Sequence, residues 1–216
     1  MVGSGRTDAG AHSLGQVVAF STGTSLSPDV LQRAINAHLP DDLAVTEASE
    51  VETDFHPRFD ASSRLYRYTI WNRAVRSPFW AGRAAHVKRP LDAGMMSEAA
   101  DLLVGRHDFG AFVPVGLPGS RERTIYHAAC RREGDLVTVD LEATGFMRQM
   151  VRAIVGTLVR VGLRSIELND FRRILLSADR TKAGTTMPAH GLYLVAVNYP
   201  ASGQPQNIEY KIGSSL

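Results

Sequence analysis

Two β-prone runs, residues 123–132 and 136–143, stand on either side of Glu133-Gly134-Asp135, and this arrangement narrows the possible folds more than any other stretch. It predicts a hairpin. In the second run Val137, Val139, Leu141 and Ala143 alternate with Leu136, Thr138, Asp140 and Glu142. A period of two places the two sets on opposite faces, so this strand is expected to be half buried. Residues 64–72 predict a further strand, with Arg64, Tyr66, Tyr68 and Ile70 on one face and Leu65, Arg67, Thr69 and Trp71 on the other. Shorter strands are expected at 16–20 and 43–51, and the continuous apolar run 192–197 reads as a central strand. Helices are expected from Pro28, behind a Ser27 cap, up to Pro40, and from an Asp92 cap to about Val104, ended by Gly105. Two more are expected from 146 to 161 behind Thr144 and from 170 to 177 behind Asn169. Strands and helices alternate irregularly, with no repeat of solenoid length.

Composition sets the outer limits. With 44% apolar and 21% charged residues, 216 positions suit an ordinary globular chain and exclude disordered and fibrous classes. One cysteine, Cys130, excludes an intrachain disulfide framework and a cysteine-rich zinc site, and fits a reducing compartment. No run reaches the roughly 18 apolar residues of a membrane span, and MVGSGRTDAG has no secretory signal character, so a cytoplasmic protein is expected. The net charge of +2 hides an asymmetry. Residues 1–55 carry two arginines against eight acids, whereas residues 56–89 carry eight basic residues against Asp60 alone, interleaved with Phe59, Tyr66, Tyr68, Trp71, Phe79 and Trp80. That block has the composition of a surface that meets phosphates and stacks on bases, or of a solvated basic face.

Common cofactor signatures are absent. Gly3-Ser4-Gly5 lacks the third glycine of a dinucleotide loop, no phosphate-loop motif exists, and the seven histidines have no metal-ligand spacing, so neither cofactor nor metal is expected. The segment Gly5-Arg6-Thr7-Asp8-Ala9-Gly10-Ala11-His12 is different. Its glycines allow a tight turn that displays Asp8, with Arg6 two residues away as a charge partner. A displayed carboxylate can serve as nucleophile or base, and a D-x-G sequence is also ordinary turn chemistry.

GRTDAGAH resembles the GRTDAGVH signature of the tRNA pseudouridine synthase A family, with Ala11 in place of valine. The resemblance continues in order through DFHPRFDASSRLYRYTIWN at 54–72, HDFGAF at 107–112, FMRQMVRAIVGTLVRVG at 146–162 and GLYLVAVNYP at 191–200. It implies an α+β pseudouridine synthase fold: a mixed, mainly antiparallel sheet flanked by helices, built from two ferredoxin-like halves. It further implies a cofactor-free isomerisation of uridine to pseudouridine in the anticodon stem-loop of tRNA, at positions 38 to 40, by a cytoplasmic homodimer. On that basis Asp8 is the catalytic residue, Arg6 helps to extrude the base, and Tyr66 stacks on the uracil and takes part in removing its C5 proton. Arg152 pairs with the catalytic carboxylate, and Leu192 packs near the base. Whether Asp8 adds to C1′ of the sugar or removes the C2′ proton stays open.

Arg148, Arg152, Gly156 and Arg160 fall at successive i, i+4 positions, a row of three like charges that makes sense facing an anion, RNA phosphate or Asp8. Arg73, Arg76, Arg148 and Arg160 are therefore expected RNA-backbone contacts. Ala153 stands where the family commonly has asparagine, and Arg148-Gln149 replaces a more usual histidine-containing stretch. Family members carry roughly fifty residues before the signature, with a strand and an amphipathic helix. The expected division is thus 1–55 as the loop-bearing remnant of the first half, 56–200 as the second, RNA-binding and active-site half, and 201–216 as a polar tail. Without the preceding strand the loop is expected to lack a brace and to fray, leaving a truncated, feebly active chain. A non-catalytic RNA-binding module is the competing reading.

Overall fold

The computed structural model describes residues 1–200, and the expected polar tail lies outside the described residues. In chain order the strands are β1 (Val2–Gly3), β2 (His12–Ser13), β3 (Val18–Ala19), β4 (Ser63–Trp71), β5 (Ala85–His86), β6 (Gly105–Asp108), β7 (Glu122–Glu133), β8 (Leu136–Ala143) and β9 (Leu192–Asn198). The helices are α1 (Pro28–Asn36), α2 (Ala93–Asp101), α3 (Met150–Gly162) and α4 (Leu168–Ser177). Strands β2-β9-β4-β8-β7-β6 form one sheet in that order, β5 extends it beside the end of β4, and β1 pairs separately with β3. The β2/β9 and β4/β5 pairs are parallel and the rest antiparallel, so the fold is α+β with a mainly antiparallel sheet.

Register turns the period-two patterns into a core. Tyr66, Tyr68 and Ile70 lie opposite Leu141, Val139 and Val137, which joins the two expected apolar faces. Helices α2, α3 and α4 cover that face, burying Met96, Leu103, Ile154, Leu158 and Phe171 completely. Each such side chain contributes about 1.5–3 kcal/mol by leaving water. Exposed ion pairs such as Arg106–Glu122 (2.8 Å) contribute about 1 kcal/mol at most, so apolar burial on one sheet face holds the fold. On the opposite face Arg67 donates twice to the carboxylate of Asp140, at 2.6 and 2.7 Å.

Several expectations are corrected by competing partners. Residues 43–51 form no strand, because side chains of α1 take the backbone groups that a ladder needs. Asn36 both accepts from the Val45 amide (2.7 Å) and donates to its carbonyl (2.8 Å), while Gln32 donates to the carbonyls of Val45 and Thr46. Helix α1 starts at Pro28 as expected but ends at Asn36, and none of its residues is buried. The expected 16–20 strand shrinks to Val18–Ala19. Thr144 does not cap α3: its hydroxyl accepts from the Thr124 amide, and the helix begins only at Met150, after Gln149 in a left-handed conformation (φ 61°). Helix α4 starts before Asn169, from a Glu167–Asp170 capping box. Asp92 does cap α2, accepting from Met95 at 3.1 Å, although that helix stops at Asp101. Strand β9 is second from the edge rather than central, flanked outside by the two-residue β2.

Candidate active site

The loop between β1 and β2 carries Asp8 in a turn closed by the Ala11 amide on the Asp8 carbonyl (3.0 Å). Gly10 takes φ +81°, which a side chain would resist, so the D-x-G sequence specifies this turn. The loop has braces that the sequence did not reveal. Strand β1 pairs with β3, and the buried Ser4 donates through its amide to Val17 (2.8 Å) and through its hydroxyl to Gln16 (2.5 Å). Gln16 in turn donates to the Gly5 carbonyl. Arg64 reaches the Ser4 carbonyl from β4 (3.3 Å) and also donates to the Thr144 carbonyl, tying the loop to the approach to α3. On its far side His12 stacks on Tyr193 with centroids 4.7 Å apart. Ahead of the loop stands the two-residue β1, paired with β3 outside the main sheet.

The carboxylate of Asp8 is paired with Arg152, Oδ2 to Nη1 at 2.5 Å, with the two side chains 25% and 15% exposed. Removing one partner leaves the other charge without its partner in the cleft, at a cost below the about 3–5 kcal/mol of a fully buried pair. Arg6, the partner expected from sequence proximity, is exposed and stands at the cleft wall instead. Arg152 comes from the first turn of α3, where period 3.6 directs it away from the buried Val151 and Ala153. Its Nε donates to the Met187 carbonyl at 2.6 Å, so both sides of the guanidinium are held.

Tyr66 enters the same cleft from β4 at an irregularity. Leu65 pairs with Ala196 but Tyr66 pairs with Leu194, leaving Val195 as an extra residue. Such bulges re-aim side chains beside active sites. The Tyr66 ring meets Phe146 edge-on, with centroids 5.2 Å apart at 81°. Burial pushes the Tyr66 phenol above its ordinary pKa; Arg64 opposes this and Asp8 adds to it, so the hydroxyl keeps its proton at neutral pH. Leu192, 6% exposed, closes the cleft wall.

Five expected residues, Arg6, Asp8, Tyr66, Arg152 and Leu192, therefore surround one cleft. The sequence reading missed Thr7, Phe146, Met147, Gln149 and Val151, which also line it, and Arg64, which braces it. Phe146 lay within a recognisable block, but its partner became visible only when β4 and the segment before α3 met. Of the expected RNA-backbone residues, Arg148 is exposed at the cleft, Arg160 donates to the Lys182 carbonyl (2.9 Å), and Arg73 pairs with Asp135 (3.1 Å). Arg76 is exposed after β4. Among the described residues no three His, Cys, Asp or Glu side chains gather as metal ligands, and no helix is long and apolar enough to cross a membrane.

Known proteins share this framework. The family model described as tRNA pseudouridine synthase matches residues 1–60 and 99–200. The chain is 44% identical over 200 residues to a tRNA pseudouridine synthase A of Methylacidiphilum infernorum, covering 92% of this chain and 78% of that protein. It is 42% identical over 200 residues to one of Thermoanaerobacter sp. (92% and 82%), and 44% identical over 202 residues to one of Pseudoalteromonas atlantica (93% and 76%). The matched residues include the turn that displays Asp8 and the helix that supplies Arg152, and the chain belongs to the tRNA pseudouridine synthase family.

Proposed function

We propose that this protein isomerises uridine to pseudouridine in the anticodon stem-loop of tRNA, at positions 38 to 40, without a cofactor. The observation that carries the reading is the Asp8–Arg152 pair, a partly sheltered carboxylate held in a cleft that Tyr66 and Phe146 also line. Such a cleft accepts a flat base on the Tyr66 side and presents Asp8 to the sugar. The C1′–N1 bond breaks, the uracil turns, C5 bonds to C1′, and the C5 proton leaves while N1 gains one, so no redox partner is needed. Asp8 supplies either a bond to C1′ or the acceptor for the C2′ proton. A stacked base must first be extruded, and the exposed Arg6 at the rim is suited to fill its place. The neutral Tyr66 phenol supports a stacking role; as an acceptor of the C5 proton it would first have to lose its own.

Residues 1–55 act in this reading as the loop-bearing part, and residues 56–200 as the active-site body that also meets RNA. Supporting this, Ser4 is the sole buried residue in the first segment. Homodimerisation is supported by the exposure of Val18, Phe20, Leu26, Leu43 and Val51 there, apolar area that a second copy would cover. A cytoplasmic setting is supported by the free, buried thiol of Cys130.

Asp8→Asn tests the reading, with pseudouridine mapped chemically in unmodified tRNA after single-turnover incubation. The expected result is no detectable product at positions 38 to 40, with tRNA affinity changed less than about tenfold. Product at the wild-type level would remove Asp8 from the chemistry, and a wild-type chain that binds tRNA without forming product would favour a binding module.

A further inference from the structure

Segment 182–188 runs along α3 from its C-terminal end towards its first turn, and contacts the helix at successive positions. Arg160 donates to the Lys182 carbonyl (2.9 Å), the Gly184 amide donates to the Thr157 hydroxyl (2.9 Å), and the Met187 amide donates to the Arg152 carbonyl (3.2 Å). Between these points the two backbones touch. A Cβ on Gly156 would stand 1.9 Å from the Thr185 oxygen, and one on Gly184 would stand 2.5 Å from the Gly156 oxygen. Two glycines facing each other thus let the segment lie against the helix with no side chain between. The segment ends where the Arg152 Nε meets the Met187 carbonyl (2.6 Å), one residue before Pro188, whose carbonyl accepts from Tyr68 (2.7 Å).

Thr157 is completely buried and has both hydrogen-bonding capacities engaged. It donates to the Ala153 carbonyl one turn back (2.9 Å) and accepts from Gly184. The first bond is ordinary helix back-bonding. The second reaches outside the helix and fixes the segment in register with it. Arg180 holds the same segment, donating to the Gly184 carbonyl (3.0 Å) and the Thr186 hydroxyl (2.9 Å).

We infer that Thr157 and Arg180 are positioning residues for the reaction, which hold segment 182–188 in register on α3 so that the Met187 carbonyl aims the Arg152 guanidinium at Asp8. The inference rests on the proposed activity only for its kinetic consequence. Neither residue lines the cleft. A register error in the segment displaces the Met187 carbonyl, and Arg152 then swings about its remaining contact with Asp8. Misplacement on the ångström scale at a reacting group costs up to about a hundredfold in rate.

The test uses the full chain with Thr157→Val, which keeps the shape and loses the hydroxyl, Thr157→Ser, which keeps the hydroxyl, and Arg180→Met, a change at a half-buried site. Arginine Nε–H exchange is followed by NMR, the Arg152 signal being assigned by its loss in Arg152→Lys. In Thr157→Val and Arg180→Met that proton is expected to exchange at least about tenfold faster, and in Thr157→Ser at the wild-type rate. On tRNA, Thr157→Val is expected to lose roughly ten- to a hundredfold in kcat with KM unchanged, and to lose nothing further in an Arg152→Lys background, which has no Nε to aim. A merely structural role predicts additive losses. Protection retained in both Thr157→Val and Arg180→Met, or an additive double variant, overturns the inference. Loss of protection in Thr157→Val and Arg180→Met, together with a wild-type chain that makes no pseudouridine, would support the clasp and sink the proposed activity instead.

Discussion

At the scale of single residues the most telling position is one whose backbone is wrong for its side chain. Gln149 enters α3 with φ 61° and makes no capping hydrogen bond, while its carbonyl receives the Ala153 amide. A non-glycine residue in the left-handed region costs about 1 kcal/mol, and such strain collects beside functional sites. Here it turns the chain so that Phe146, Met147 and Gln149 face the cleft before the helix begins. Gln149→Gly is therefore expected to raise stability by about 0.5–1 kcal/mol, or roughly 1–3 °C in melting temperature, as followed by circular dichroism. A lower melting temperature would show that the glutamine side chain contributes more than its backbone loses. The sequence could not announce this strain, because nothing in Arg148-Gln149-Met150 demands φ > 0. It did announce the Asp8 turn, because Asp8-Ala9-Gly10 encodes its conformation locally.

Whole elements divide along the same line. The β7–β8 hairpin and β4 were legible because each carries its own pattern, and their registers then united the apolar faces. The 43–51 run misled because its fate was decided by Gln32 and Asn36 on another element. Thr144 misled because β7 claimed its hydroxyl. The basic block of 56–89 likewise proves not to be one surface. Arg67 is committed to Asp140 behind the sheet and Arg64 to the loop carbonyls, whereas Arg76 stays exposed on the connection from β4 to β5 beside the 86%-exposed Phe79. Electrostatic contact with RNA should therefore depend on that connection more than on β4. Arg76→Glu is expected to weaken tRNA binding and to flatten the slope of log affinity against log salt by roughly one unit or less. Arg73→Glu, which first breaks an exposed pair with Asp135, is expected to do less. Equal slopes for wild type and Arg76→Glu in a salt titration would return Arg76 to a solvated face.

For the molecule as a whole, one consequence of building the core on a tyrosine-bearing sheet is a shared sensitivity to alkali. Desolvation raises the pKa of the Tyr66, Tyr68 and Tyr193 phenols, pushes Tyr199 from 10.0 to about 12, and pushes the Cys130 thiol from 9.0 to about 12. In each case the folded state holds a proton that the unfolded chain gives up at lower pH. The stabilising contribution is therefore complete below the unfolded pKa and is lost as pH rises towards the folded one, at up to about 1.4 kcal/mol per pH unit for a buried group and less for the part-exposed Tyr193, which solvent screens. The thiol acts first, because its unfolded value is the lowest. Stability should be flat in these groups up to about pH 8, fall between pH 9 and 10 mainly through Cys130, and fall faster beyond pH 10 as the tyrosines join. Cys130→Ala removes the first component and leaves the second. Its melting temperature, whatever its value at pH 8, should drop by roughly 3–5 °C less than that of the wild type between pH 8 and 10. Parallel falls in the two proteins, measured by scanning calorimetry, would show that the thiol ionises in the fold as readily as in the open chain. The alkaline weakness would then have to originate in the tyrosines alone.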